Sequence, residues 1–180
     1  MSECPELRGQ LHSATLYFRV NVRVQVVHSG HTDPIGIIRF GLKNVAKYDR
    51  IFCVIDRDSH ETFNEAIREA EGHKTLSVIA SFPCFEFWYL LHHELSNRPY
   101  KSAGKKSSGD FLLEHLRSFK EMAAYDKGSN VDLFTLLLPL FPDARKNAER
   151  VLKNALEIDE LNPSTQVHLL MDFFEELAKS

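Results

Sequence analysis

The sequence predicts an α/β fold with a mainly parallel sheet flanked by helices, followed by a helical C-terminal half. Up to about residue 95, apolar segments of strand length alternate with helical apolar spacing, which is typical of β-α-β units with right-handed crossovers. From residue 111 the spacing is helical throughout. We therefore divide the 180-residue chain into an α/β core (1–95), a basic polar loop (96–110) and a helical region packed on the core (111–180).

The first predicted elements are a helix, a strand and a second helix. Apolar side chains at helical spacing predict a short helix within residues 1–17. Valines alternate with polar residues from Phe18 to Val27, which predicts a half-exposed strand near an edge of the sheet. Asp33 followed by Pro34 favours a helix that begins there, with the aspartate as its N-cap.

The centre of the predicted sheet is the strand Ile51–Ile55, an unbroken apolar run. Such a run is typical of a strand buried on both faces in a parallel sheet. A helix capped by Ser59 and ended by Gly72 should follow, and then a third strand from Thr75 to Ala80. The helix after Ser81 is apolar on nearly every side, so we expect it to be buried.

The second half of the chain adds helices and excludes several classes of protein. Its predicted helices span residues 110–124, 130–138, 142–158 and 164–178. Neither a membrane-spanning segment nor a signal-peptide pattern is present, so we expect a cytoplasmic protein with no membrane contact. The three cysteines show no Cys-x-x-Cys pairing, which favours reduced thiols. A net charge of −3 neither requires nor excludes nucleic acid.

Two carboxylates, Asp56 and Asp58, directly follow the central strand. In an open α/β sheet, ligands bind at the carboxyl ends of the strands. Carboxylates this close repel each other unless a cation lies between them, and Mg²⁺ or Mn²⁺ with oxygen ligands is a common solution. The alternative is that Asp56 ends the strand and Asp58 caps the next helix. Zinc is disfavoured, because no cysteine and histidine spacing fits a zinc site.

Further candidates follow the neighbouring strands. Glu86 is a carboxylate within an otherwise apolar helix, and a buried carboxylate needs a partner, so either a place in the site or a structural salt bridge explains it. Histidines in the turns and lysines in the basic loop are candidates for phosphate or substrate contacts, although both kinds of side chain are often simply solvated. These candidates are His31, His60, Lys101, Lys105 and Lys106.

Several segments together resemble the RloB family, whose core is similar to a Toprim domain. The matching segments are 55–60, 63–66, 83–92, 125–128 and 162–168. Among them, the Pro-Cys-Phe-Glu block that follows an Asp-x-Asp strand is specific, whereas Asp-x-Asp alone would not be. The resemblance covers roughly residues 20–170.

The resemblance implies a Toprim-like fold and a Mg²⁺-dependent nuclease that cleaves RNA, with tRNA among the candidates, or DNA in bacterial abortive-infection defence against phage. Asp56 and Asp58 would be metal ligands for Mg²⁺ or Mn²⁺, and Glu86 would be a supporting catalytic carboxylate. Nucleic acid would be the partner, together with self-association or a partner protein of a defence system.

The sequence also departs from the family pattern. The family begins with an apolar strand that ends in a Glu-Gly-x-Thr-Glu type of motif, and here Ser2–Gly9 is similar only to the end of that motif. Phe82 stands where the family has asparagine. These departures leave open a catalytically incomplete Toprim-like module that binds nucleic acid or a partner. A phosphatase is disfavoured, because His60 replaces the threonine or valine that such enzymes carry after the second aspartate.

Overall fold

The computed structural model describes residues 5–20, 22–57, 60–127 and 132–179. Two short 3₁₀ helices, Lys120–Met122 and Leu138–Leu140, accompany the main elements. In chain order the main elements are α1 (Pro5–Tyr17), α2 (Pro34–Leu42), β1 (Ile51–Asp56), α3 (Phe63–Ala70), β2 (Leu76–Phe82), α4 (Glu86–His93), α5 (Ser108–Leu116), α6 (Leu133–Leu137), α7 (Phe141–Glu157), β3 (Ser164–Thr165) and α8 (Val167–Lys179).

The sheet has three strands in the order β1-β2-β3 within the described ranges. β1 and β2 are parallel over their whole length, with Ile51 opposite Leu76 and Asp56 opposite Ser81. β3 is short and antiparallel to β2, and its Thr165 lies opposite the same Ser81. The predicted α/β class is therefore confirmed, whereas parallel pairing is confined to one pair of strands.

The two faces of β1 contribute to two different parts of the core. Cys53 and Ile55 belong to a cluster with α2 and α3, whereas Phe52 and Val54 pack against the larger cluster on the other face of the sheet. The Phe52 ring lies 4.8 Å from that of Phe173 in α8. Successive side chains of a strand point to opposite faces, so an unbroken apolar run requires a helix on each side.

Helix α2 covers the first face and runs antiparallel to β1. As predicted, Asp33 caps the helix, because its carboxylate accepts a hydrogen bond of 2.9 Å from the Gly36 amide. A Cβ at Gly41 would lie 2.7 Å from the Cys53 sulfur, so glycine allows the helix to approach the sheet closely. The same Cβ would lie 3.6 Å from Ile51 Cγ2, so the end of α2 lies near the start of β1.

Helix α4 is buried, as its apolar sequence predicts. Its side chains form the centre of the larger core, where α4 packs chiefly against α7 and α5. The most buried of them are Phe87, Tyr89, Leu90 and Leu91, each at most 1% exposed. A buried helix of this kind holds its first residue in a fixed position, and that residue is Glu86.

The predicted strand from Phe18 to Val27 is wrong. Residues 22–27 form no strand, and Val22, Val24 and Val27 are exposed by 50%, 38% and 50%. Alternating valines make a segment suitable for a half-buried sheet surface, but a strand also needs a neighbour that accepts its backbone hydrogen bonds. None of the described strands pairs with this segment.

Several helix boundaries also differ from the prediction. Residues 164–165 form β3 rather than the start of a helix, and α8 begins at Val167. Helix α3 begins at Phe63, and the predicted cap Ser59 lies outside the described residues. Helix α5 begins at Ser108, still within the predicted loop, where Ser107 and Asp110 form a reciprocal capping box. No helix in the described ranges is long and apolar enough to cross a membrane.

Candidate active site

The carboxyl ends of β1 and β2 lie side by side. Asp56 is the last residue of β1 and is half-buried. Its neighbour Ser81 accepts a backbone hydrogen bond of 2.9 Å from the Arg57 amide, so the two chains stay paired to the very edge of the sheet. Asp58, the second predicted ligand, lies outside the described residues.

Glu86 follows the end of β2 and opens helix α4. Its side chain is only 5% exposed, and its Oε1 accepts a charge-assisted hydrogen bond of 2.8 Å from the Lys127 ammonium. Its other oxygen, Oε2, is buried and has no hydrogen-bond partner among the described residues. A buried carboxylate oxygen without a partner is costly, so it is a candidate to hold a ligand. The partial positive charge at the start of α4 also favours the carboxylate.

Asp56, Cys84, Glu86 and Lys127 lie within electrostatic reach of one another. Burial raises the pKa of the Cys84 thiol well above its usual range, and the carboxylates of Glu86 and Asp56 raise it further. Burial opposes the charge on Lys127, yet Glu86 and Asp56 are among the groups that raise the pKa of this lysine above its usual value. Cys84 is therefore a neutral thiol within reach of two carboxylate charges, and Lys127 is a cation.

Strand β3 holds the end of β2, the strand that leads to Cys84 and Glu86. The hydroxyl groups of Ser81 and Thr165 share a buried hydrogen bond of 2.8 Å. The Gln166 side-chain oxygen accepts a 2.9 Å bond from the Ala80 amide, and the Gln166 amide donates a 2.9 Å bond to the Ala80 carbonyl. These four residues therefore satisfy one another's polar groups, and the backbone that leads to Glu86 is held firmly.

The basic loop lies beside the same edge. Asn162 holds it through Tyr100: the Tyr100 amide donates to Asn162 Oδ1 at 3.1 Å, and Asn162 Nδ2 donates to the Tyr100 carbonyl at 2.6 Å. At the end of the loop, the hydrogen bond from the Ser107 amide is the main cause of the lowered pKa of Asp110, and the charge of Lys127 contributes as well. The start of α5 therefore lies within electrostatic reach of Lys127.

The three predicted loop lysines differ in their surroundings. Lys106 forms an ion pair with Glu114, and its ammonium lies 5.6 Å from the centre of the Phe111 ring. Lys101 and Lys105 are exposed, and neither has an ion pair within the described ranges. Their predicted contacts with phosphate stay a prediction, and Lys101 and Lys105 are the freer of the three.

The two predicted histidines lie in turns. His31 precedes α2, where its Nδ1 is 4.0 Å from the Asp33 carboxylate, and its side chain is 50% exposed. His60 begins the turn into α3, and its backbone is tied to Arg57 by two bonds, of 3.0 and 2.9 Å. Both remain candidates for substrate contacts.

The donors at this edge suit a hard divalent cation, although they do not form a complete set of ligands. Among residues 5–20, 22–57, 60–127 and 132–179, no three histidine, cysteine, aspartate or glutamate side chains lie close enough together to hold a metal ion. Mg²⁺ commonly uses only one or two carboxylates, with water and substrate phosphate as its other ligands. Asp56 and the free oxygen of Glu86 fit that pattern.

A cavity of about 570 Å³ lies at the other end of α4. The helix has eight residues, so this cavity is about 10 Å along its axis from Glu86. His92 and His93 line it together with charged residues of α7, including Lys146 and Arg150. The cavity is separate from the edge where Asp56 and Glu86 lie.

A family model matches most of the chain. Residues 8–174 match the family model described as RloB-like protein. The chain belongs to the RloB-like family. The match extends from α1 into α8, so it includes the sheet, the Glu86–Lys127 ion pair and the helical half of this RloB-like chain. No curated protein and no solved structure matches the chain.

Lys127 is the site residue that was not predicted from the sequence. It lies in the segment 125–128, which is one of those that resemble the RloB family, yet nothing in that segment alone indicates a charge partner for Glu86. The signal was indirect. A carboxylate within an apolar helix requires a cation or a polar partner, and the chain had to provide one from another element.

Proposed function

We propose that this RloB-like protein is a Mg²⁺-dependent nuclease of the Toprim type, which cleaves RNA or DNA in the cytoplasm as part of bacterial defence against phage. The observation that carries the proposal is the buried, unpartnered Oε2 of Glu86 beside Asp56 at the carboxyl edge of the sheet. Oxygen donors at such an edge are the usual surroundings of a magnesium-bound phosphate.

Asp56 and Glu86 would hold the metal ion, and Asp58 is the third candidate ligand. When bound, Mg²⁺ supplies a Lewis acid that neutralises charge on the scissile phosphate. Lys127 holds Glu86 by one oxygen and leaves the other oxygen for the ion. The paired ends of β2 and β3 keep this carboxylate in place, so little reorganisation is needed when a substrate binds.

The test is cleavage of labelled RNA and DNA by purified protein, with Mg²⁺, with Mn²⁺ and with EDTA. We expect cleavage only with a divalent ion. Asp56→Asn keeps the shape of the side chain and removes its charge, so it should reduce the cleavage rate by about 100-fold or more. The matched control is Asp49→Asn, an exposed aspartate two residues before β1. At about 3.3 Å per residue it lies about 20 Å from Asp56, so its rate should equal that of the wild type.

Cleavage by Asp56→Asn at the wild-type rate would contradict the proposal. Metal-independent cleavage by the wild type would contradict it as well. Thermal unfolding of both variants shows whether a lost rate reflects the site or a lost fold.

A second candidate is a catalytically incomplete module that binds nucleic acid or a partner protein. The observation in its favour is that no three potential metal ligands converge within the described ranges. This module would bind nucleic acid without turnover in any divalent ion. Cleavage that disappears with Asp56→Asn would exclude it.

A further inference from the structure

Lys127 is placed between the buried carboxylate and solvent. One of its contacts is the 2.8 Å bond to Glu86, yet half of its side chain is exposed, whereas the Glu86 side chain is 5% exposed. An ammonium group has three N–H donors, and within the described ranges only the bond to Glu86 uses one. The remaining donors are therefore available on the exposed side of the site.

The two carboxylates at this edge would repel a nucleic acid unless cations offset their charge. Asp56 and Glu86 together carry a charge of −2, which a bound divalent ion would only cancel. A phosphodiester, which carries one negative charge, would then meet no net attraction. Lys127 adds one positive charge to this balance, because a lysine ammonium is charged throughout the neutral pH range.

A second lysine, Lys106, lies near the same region, where its ammonium is paired with Glu114. The charges of Lys127 and Lys106 both lower the pKa of Asp110, after the main effect of the hydrogen bond from Ser107. Both ammonium groups therefore lie within electrostatic reach of the first turn of α5. The exposed Lys105 is the neighbour of Lys106 in the same loop.

We infer that Lys127 binds a backbone phosphate of the nucleic acid at the Asp56–Glu86 edge, and does so while it remains paired with Glu86. This inference rests on the proposed function for its class of substrate. It assigns Lys127 to substrate binding in addition to its structural ion pair. The alternative, a purely structural lysine, makes a different prediction about salt.

The test measures affinity for a fluorescein-labelled single-stranded oligonucleotide by anisotropy at several salt concentrations. Ca²⁺ replaces Mg²⁺, and a gel verifies that the oligonucleotide remains intact. Each phosphate contact adds about 0.7 to the slope of log K against log salt concentration for a single strand. Lys127→Met should therefore lower that slope by about 0.7 in magnitude, and Lys127→Arg should preserve it.

The control is Lys179→Met, which removes the same charge from an exposed ion pair of 3.1 Å with Glu175. Its slope should equal that of the wild type. If Lys127→Met fails to fold, the double variant Glu86→Gln with Lys127→Gln replaces it, since it leaves no unpaired charge and should show the same reduced slope.

The outcomes separate this inference from the nuclease proposal. If the wild type binds without cleaving and the slope falls in Lys127→Met but not in Lys127→Arg, the inference holds and the nuclease proposal fails. An unchanged slope in folded Lys127→Met, or in the double variant where that replaces it, overturns the inference alone. A wild type that binds no oligonucleotide overturns both.

Discussion

Removal of the Lys127 ammonium would leave the Glu86 carboxylate buried without its counter-ion. Loss of one partner from a fully buried ion pair costs about 3–5 kcal/mol of the free energy of unfolding. Glu86 is 5% exposed, but Lys127 is 50% exposed and water reaches the pair from that side. We therefore expect Lys127→Met to cost about 2–3 kcal/mol. For a chain of this length the melting temperature would fall by about 5–10 °C.

The assay is urea unfolding at pH 7, followed by circular dichroism, on the wild type and on Lys127→Met, Glu86→Gln and their combination. The double variant should recover part of the loss, with a coupling energy of about 1–2 kcal/mol, because the unpaired charge is gone. Lys179→Met breaks an exposed pair and should cost less than about 0.5 kcal/mol. If the two single losses add up to the double loss within about 0.5 kcal/mol, Lys127 and Glu86 are not coupled and the expected coupling energy is wrong.

Two further predictions concern other buried contacts. Burial lowers the pKa of His92 from 6.5 to about 4, and the charge of His93 adds to this effect, despite the bond to the Trp88 carbonyl. Neutral His92 therefore contributes stability that is fully present above pH 6.5. That contribution is lost as the pH falls towards 4. At 1.36 kcal/mol per pKa unit, His92→Phe should reduce the acid-induced loss of unfolding free energy by about 3 kcal/mol, and an unchanged pH dependence would contradict this. Asn162→Ala removes both side-chain bonds to Tyr100, so trypsin should cleave the basic loop several-fold faster. The control is Asn154→Ala, which removes only a weak 3.5 Å contact with that loop and should be cleaved at the wild-type rate.

The parts of the fold that depend on short stretches of chain were predictable from the sequence. The strand β1 needs only an unbroken apolar run, and the start of α2 needs only Asp33 and an amide three residues later. The buried helix α4 likewise follows from apolar residues on every side. In each case the stabilising contact, or the demand for burial, is encoded within a few positions.

Contacts between distant parts of the chain were not predictable in this way. Strand β3 has two residues, and its bond to Ser81 joins positions 84 residues apart. The segment 22–27 has the alternation of a strand, but none of the described strands pairs with it. The same limit applies to the site. The sequence shows that the buried Glu86 carboxylate needs a partner, but only the fold shows that this partner is Lys127.

The decisive measurement is single-turnover cleavage of RNA and DNA in Mg²⁺ by the wild type, Asp56→Asn and Asp49→Asn. We expect metal-dependent cleavage that the first substitution reduces by about 100-fold and the second leaves unchanged. Equal rates for the wild type and a folded Asp56→Asn, or cleavage that persists in EDTA, would contradict it.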